Sequence, residues 1–119
     1  LHGPEYLCQN YVEHDSTLIA ALTVEKRIRC IQDEGDEAFA DSRGPVIELP
    51  ESGWEQAERA LRAIGLVAGT VDLLRTTEGE YIVLEVNAAP RLPYPHLPGV
   101  DLATPMVDAV LRRLQEVVA

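Results

Sequence analysis

The sequence predicts an α+β fold, in which two helices cover a largely antiparallel sheet. Three observations lead to this class. Short β-rich runs are separated by polar segments, one pair of runs is joined by a tight Glu-Gly turn, and two longer stretches repeat apolar residues at helical spacing. Their order along the 119 residues is β-β-β-(β)-α-β-β-α, and a chain of this length is enough for one domain with one core.

The first elements are predicted to be strands. β-rich runs occupy residues 5–13 and 17–24, with a polar connection at 14–16, and a third run follows at 27–32. A short fourth candidate lies at residues 46–49, after an acidic segment with two glycines that is typical of a loop.

A helix is predicted from about residue 53 to residue 64. Ser52 and Glu55 have the spacing of a capping box, and Gly65 is placed to end the helix. The residues between them repeat apolar side chains every three or four positions. This stripe comprises Trp54, Ala57, Leu61 and Ile64.

A second helix is predicted at the end of the sequence, after a segment with four prolines. Thr104 is a candidate cap, and Pro105 suits the first helical turn because a proline nitrogen has no hydrogen to donate. Its buried face is predicted to consist of Val107, Val110, Leu111, Leu114 and Val117.

A β-hairpin is predicted between these two helices. Runs at residues 67–76 and 81–87 flank the turn at 77–80. A two-residue or a four-residue loop gives the same antiparallel register. The predicted pairs are Thr76 with Tyr81, Leu74 with Val83, and Asp72 with Glu85.

Side chains alternate between the two faces of a strand, so Tyr81, Val83, Glu85 and Asn87 are predicted to share one face, opposite Ile82, Leu84 and Val86. Two directly opposed carboxylates lie roughly 5 Å apart between their Cβ atoms, which destabilises a hairpin unless a positive charge lies between them.

Asp72, Glu85 and Asn87 together offer the oxygen ligands that Mg²⁺ prefers. The apolar residues around both acids favour this interpretation, because an unpaired charge among apolar neighbours is costly. The alternative is that this face is solvated and that the acids pair with Lys or Arg elsewhere.

Composition limits the classes of function. The net charge of −10 argues against a nucleic-acid partner, which would need clustered Lys and Arg. No apolar run reaches the roughly 20 residues of a membrane span. Cys8 and Cys30 show no metal-ligand spacing and are expected to be free thiols in a cytoplasmic protein. The sequence begins with Leu1, from which we expect a fragment of a longer protein.

Three segments resemble the C-terminal half of an ATP-grasp domain: "GTVDLL", "VLEVNAAP" and "GVDLATPMVDAVL". The resemblance is to the branch that includes the ribosomal-protein glutamate ligases, and it extends over nearly the whole chain. It implies that Asp72, Glu85 and Asn87 hold Mg²⁺, or alternatively Mn²⁺, against the phosphates of ATP.

The resemblance also implies contacts to the nucleoside. The segment "CQNYV" is similar to the family's hinge, in which the backbone around Asn10, Tyr11 and Val12 would bind the adenine edge. Asp15 would then contact the ribose. Read by itself, the same segment is an ordinary strand, and Asp15 an ordinary surface residue.

Arginines are the implied catalytic groups. The family often has an arginine at the end of the third strand to bind phosphate or the acyl phosphate, where this chain has Gln32, so Arg29 or Arg27 would serve instead. Arg91 replaces a usual glycine and would bind a substrate carboxylate, unless it is simply exposed. A further departure is Thr17, where the family often has arginine.

The activity implied is that of a ligase that joins a small-molecule carboxylate to an amine or thiol through an acyl phosphate. The family's upstream lobe supplies a glycine-rich loop and phosphate-binding lysines, whereas Lys26 is the single lysine here. We therefore expect the remainder of a parent ligase chain as a partner, and weak or no activity from these residues alone. A homo-oligomer stays open, as does a non-catalytic binding or oligomerisation module.

Overall fold

The computed structural model describes residues 10–33, 45–88 and 101–118. They form five strands and two helices: β1 (His14–Thr23), β2 (Arg27–Gln32), β3 (Val46–Ile47), α1 (Glu51–Ala63), β4 (Ala68–Thr76), β5 (Tyr81–Asn87) and α2 (Ala103–Val118). The strands make one sheet in the order β3-β2-β1-β4-β5, and every pair is antiparallel. The predicted α+β class is confirmed.

Strand β1 lies at the centre of the sheet and begins earlier than the sequence predicted. His14, Asp15 and Ser16 belong to the strand, whereas residues 10–13 have no regular structure and residues 5–9 lie outside the described ranges. The predicted connection at 14–16 is therefore wrong. The cause is tertiary, because His14 pairs with Thr76 and Ser16 with Arg75 on the long strand β4, leaving Asp15 as a bulge.

The main core lies between the sheet and α1. Leu18, Leu22, Leu61 and Leu73 are fully buried there, together with the thiol of Cys30. Burial raises the pKa of the Cys30 thiol to about 12, so this free cysteine stays protonated and unreactive at neutral pH. Cys8 lies outside the described residues.

Helix α1 is fastened to β2 by a charged cluster around Arg27. Its guanidinium donates to Glu51 at 2.6 Å and to Glu58 at 2.7 Å, and lies 5.8 Å from the ring centre of Trp54. The helix begins at Glu51 after Pro50 and has no side-chain cap, so the predicted capping by Ser52 is wrong.

The glycine at the other end of α1 behaves as predicted. Gly65 follows the last residues of the helix with φ of 75°, the left-handed conformation that glycine adopts without strain. Its N–H donates to the carbonyl of Arg62 at 3.0 Å, which satisfies one of the free carbonyls of the last turn.

Helix α2 packs on the opposite face of the sheet from α1, through a second and smaller cluster. Leu102 and Met106 are buried there against Ala21, and Ala109 of the same helix is buried as well. Asp101 caps the helix by accepting the N–H of Thr104 at 3.0 Å, so Thr104 is not the cap. Neither described helix is long and apolar enough to cross a membrane.

The predicted buried face of α2 is wrong. All five residues are between 44% and 67% exposed: Val107, Val110, Leu111, Leu114 and Val117. The apolar spacing correctly indicated a helix with an apolar face. It could not indicate what covers that face, since the described sheet contacts only the adjacent stripe of α2.

Candidate metal and nucleotide site

The β4–β5 hairpin brings the predicted metal ligands together. Asp72 lies directly opposite Glu85, and Thr70 lies opposite Asn87. Both carboxylates therefore point to the same side of the sheet, and Asn87 lies on that side two cross-strand pairs further along. The predicted pairing of Asp72 with Glu85 is confirmed.

The register nearer the turn differs from the prediction by one residue. Tyr81 pairs with Arg75 rather than Thr76, and Val83 pairs with Leu73 rather than Leu74. The register shifts between Leu73 and Asp72, so that Leu84 is an extra residue on β5. The structure thus contains a β-bulge at Leu84, which sequence spacing did not indicate.

The bulge separates the apolar and polar residues of β5 onto different faces. Tyr81 and Val83 pack against the α1 core, and so does Val86 beyond the bulge. Glu85 and Asn87 lie on the other side, which we call the site face: the face of the sheet opposite α1 that carries Asp72. The predicted common face for Tyr81, Val83, Glu85 and Asn87 is therefore wrong.

Asp72 has a strongly perturbed acidity. Its pKa is raised from 3.8 to about 6, first because burial disfavours the charged carboxylate and then because the Glu85 carboxylate repels it. Asp33 adds a smaller repulsion from the same side. A cation between the two strands would relieve these effects, since it favours the ionised form of both acids.

Asp33 is a residue that sequence reasoning missed. Its N–H donates to the carbonyl of Thr17 at 2.8 Å, which continues the β1–β2 pairing one residue beyond β2. This position places Asp33 on the site face. Asp33 lies opposite Thr17, and Thr17 shares a face of β1 with Ile19, the residue that pairs with Asp72. The sequence did contain a signal for this residue: Asp33 is an acidic residue directly after the strand β2, so its face follows from the alternation of side chains along that strand.

Gly69 sets how closely the end of β5 approaches β4. A Cβ atom at this position would lie 2.6 Å from the backbone oxygen of Asn87 and 3.5 Å from a methyl group of Leu61. Only glycine leaves room for the observed contact, so Gly69 positions the backbone of Asn87. The sequence analysis included Gly69 only as part of the segment "GTVDLL". A lone glycine inside a strand is a signal of close backbone approach and could have indicated this contact.

The donor set fits Mg²⁺. Two carboxylates and one amide are the number of protein ligands that Mg²⁺ commonly uses, with phosphates and water completing its octahedron. Within residues 10–33, 45–88 and 101–118, no group of three or more His, Cys, Asp and Glu side chains could hold a metal ion.

Arg29 lies on the site face, and Arg27 does not. Arg29 pairs with Ala21. Ala21 lies two residues after Ile19 on β1 and shares its face, and Ile19 pairs with Asp72. Arg27 points to the α1 side, where Glu51 and Glu58 hold it. Of the two alternatives for the phosphate-binding arginine, only Arg29 lies on the same face of the sheet as the carboxylate pair.

Solved structures of ATP-grasp ligases share this architecture. The ligase PsnB complexed with a minimal precursor is 25% identical, with a TM-score of 0.66 over 88% of this chain and 36% of that chain. PsnB with minimal precursor, Mg and ADP is 25% identical, with a TM-score of 0.65 over 87% and 34% of the two chains. The chain has the fold of the C-terminal half of an ATP-grasp domain.

A more distant ATP-grasp neighbour is the macrocyclase MdnC from Microcystis aeruginosa MRC, bound with the precursor peptide MdnA. It is 21% identical, with a TM-score of 0.54 over 88% of this chain and 34% of that chain. The chain thus spans about a third of the length of these solved proteins. No family model and no curated protein matches it.

The ATP-grasp hinge predicted at residues 10–12 precedes β1 as irregular backbone. Tyr11 is 79% exposed and its ring lies 5.8 Å from that of His14, whose Nδ1 is 2.8 Å from the carbonyl oxygen of Val12. Asn10 is exposed as well. The adenine contact remains a prediction.

Asp15 and Arg91 are the other residues that were predicted to contact a ligand. The Asp15 carboxylate accepts a hydrogen bond from Arg75 at 2.8 Å, which holds the pKa of Asp15 below its usual range. Its contact with ribose also remains a prediction. Arg91 lies outside the described residues.

Proposed function

We propose that this chain is the Mg-ATP-binding lobe of an ATP-dependent ligase. The observation that carries the proposal is the opposed pair Asp72 and Glu85 on an ATP-grasp fold, with the pKa of Asp72 raised to about 6. Two carboxylates held face to face are unfavourable in a purely structural sheet and favourable in one that binds a cation.

In this proposal, Asp72 and Glu85 bind the metal through carboxylate oxygens and Asn87 contributes its amide oxygen. Mg²⁺ held by these residues would supply positive charge against the negative charge that develops on the transferred phosphate. Burial matters here, because the half-buried Asp72 interacts with a cation more strongly than a fully solvated acid does. Gly69 holds Asn87 at the correct separation from β4.

The reaction that this site supports proceeds in two steps. A substrate carboxylate attacks the γ-phosphorus of ATP, which forms an acyl phosphate and releases ADP. An amine or thiol then attacks the acyl carbon and releases inorganic phosphate. Arg29 is suited to bind the anionic phosphate from its place on the site face, and no side chain of this chain needs to act as a nucleophile.

We infer that the carboxylate and the amine lie on a peptide. PsnB and MdnC are each described in complex with a precursor or precursor peptide, which favours a peptide over the small-molecule acid suggested by the sequence. Because the chain corresponds to about a third of those proteins, its full reaction requires a second lobe for the phosphates and the substrate.

Nucleotide-dependent stabilisation tests the proposal. We expect Mg-ATP at 100 times its Kd to stabilise the chain by about 2.7 kcal/mol, a rise of roughly 10 °C in melting temperature. Asp72→Asn and Glu85→Gln should abolish most of this rise. Asp108→Asn, which removes an exposed carboxylate from α2, is the matched control and should keep it.

Two comparisons make the result specific. ATP with EDTA should give little stabilisation, and Mg²⁺ alone much less than Mg-ATP, since phosphates complete the metal shell. If Mg-ATP has no effect on the wild-type chain, the non-catalytic module becomes the better interpretation. Peptide-dependent ADP release by the longer parent protein, lost in its Asp72→Asn variant, would establish the ligase reaction itself.

A further inference from the structure

The turn end of the β4–β5 hairpin is linked to β1 by one arginine. The Arg75 guanidinium donates from Nε to Asp15 Oδ1 at 2.8 Å and from Nη2 to Ser16 Oγ at 2.7 Å. Both acceptors lie at the start of β1, and Asp15 is its bulge residue. Ser16 is only 6% exposed, so Arg75 also satisfies a hydroxyl group that water scarcely reaches.

Further contacts extend this link into the segment that precedes β1. The N–H of Thr77 donates to the carbonyl of Glu13 at 3.3 Å, and His14 contacts the carbonyl of Val12. Residues 10–13 have no strand pairing of their own, and Tyr11 is largely exposed. The position of the segment therefore depends on the contacts made by β4 and the hairpin turn.

Arg75 also stands at a fixed distance from the metal pair. It lies three residues after Asp72 on the same nine-residue strand, and its cross-strand partner is Tyr81. A β-strand is stiff over three residues, so the Arg75 bonds fix where the segment at 10–13 stands relative to Asp72. Any ligand that contacts both places depends on this spacing.

We propose that Arg75 is a positioning residue for nucleotide binding, acting through Asp15 and Ser16 to hold the segment 10–13 in register with the Asp72–Glu85 pair. This inference rests on the proposed function, which supplies the metal pair, and on the predicted contact of residues 10–12 with adenine. Arg75 itself need not touch the nucleotide. Its loss should weaken recognition of the nucleoside and leave binding of the phosphates intact.

The test compares two ligands and two substitutions. For Arg75→Gln, we expect the affinity for Mg-ATP to fall about tenfold, about 1.4 kcal/mol, while that for magnesium tripolyphosphate, which has no nucleoside, stays within about twofold. Arg75→Lys keeps a cation for Asp15 and should recover part of the ATP affinity. Arg113→Gln, which removes an exposed ion pair with Glu116, is the control and should change neither affinity.

Amide hydrogen exchange without nucleotide gives an independent readout. Peptides that cover residues 10–17 should exchange faster in Arg75→Gln than in the wild type, whereas peptides that cover α1 should not change. Equal weakening of both ligands, or unchanged exchange at 10–17, would overturn the positioning role. If the wild-type chain binds neither ligand, the proposed function fails, and the exchange experiment still decides whether Arg75 holds the segment.

Discussion

Replacing Asp72 by Asn should stabilise the metal-free protein at neutral pH. The folded pKa of Asp72 is about 6 and its ordinary value is 3.8, so the folded state binds the proton more tightly than the unfolded state does. Between these two values the free energy of unfolding should fall as the pH rises. Above pH 6 the loss is complete, and below pH 3.8 it is absent.

The magnitude follows from the same two pKa values. At 1.36 kcal/mol per pKa unit, the difference between 3.8 and about 6 corresponds to an upper limit of about 3 kcal/mol. Asp72 is only partly buried, so screening by water reduces this limit, and we expect about 1 to 2 kcal/mol. Asn has nearly the same shape and no charge to repel Glu85.

Urea unfolding at pH 4, 5, 6 and 7.5 measures this effect. Asp72→Asn should be more stable than the wild type by about 1 to 2 kcal/mol at pH 7.5 and nearly equal at pH 4, with the same dependence on urea. Asp108→Asn on the exposed surface of α2 should show no such pH-dependent difference. The reasoning is refuted if Asp72→Asn is neutral or destabilising at pH 7.5.

Three further predictions concern packing and charge. Gly69→Ala should destabilise the protein by about 1 to 3 kcal/mol and weaken Mg-ATP binding, because its methyl group would displace the Asn87 backbone; urea unfolding and ligand-dependent melting measure both effects. Leu73→Ala should cost about 2 to 5 kcal/mol in urea unfolding, whereas Leu111→Ala should cost less than about 1 kcal/mol because Leu111 is 51% exposed; similar costs would contradict the observed burial. Arg27→Gln should lower the melting temperature more at low than at high salt, since its ion pairs with α1 are partly exposed and therefore screened by salt.

The sequence alone was sufficient where local rules decide the structure. The turn at 77–80 and two flanking apolar runs define a hairpin, which β4 and β5 form. Gly65 marks the end of α1 because few other residues adopt its backbone conformation without strain. Both predictions depend on only a few neighbouring residues.

Tertiary structure decided which residues lie on which face. The bulge at Leu84 turns Tyr81 and Val83 toward the α1 core and Glu85 toward the site face. A period-2 pattern cannot locate an inserted residue, because one extra position reverses every assignment beyond it. The bulge is favourable here because apolar side chains reach the core on one face while the carboxylates stay on the other.

The same limit explains the two ends of the chain. Asp15 and Ser16 read as a polar connection, yet pairing with β4 and the bonds from Arg75 make them part of β1. The apolar spacing of α2 predicts a buried aliphatic face, yet Leu114 on that face is 54% exposed. The sequence by itself determined the elements and the hairpin, because these follow from local conformation and short-range pairing. The pairing of Asp72 with Glu85 depends in addition on the bulge at Leu84. Only the tertiary structure decided burial, strand ends and the use of each arginine, because those depend on surfaces that are distant in the sequence.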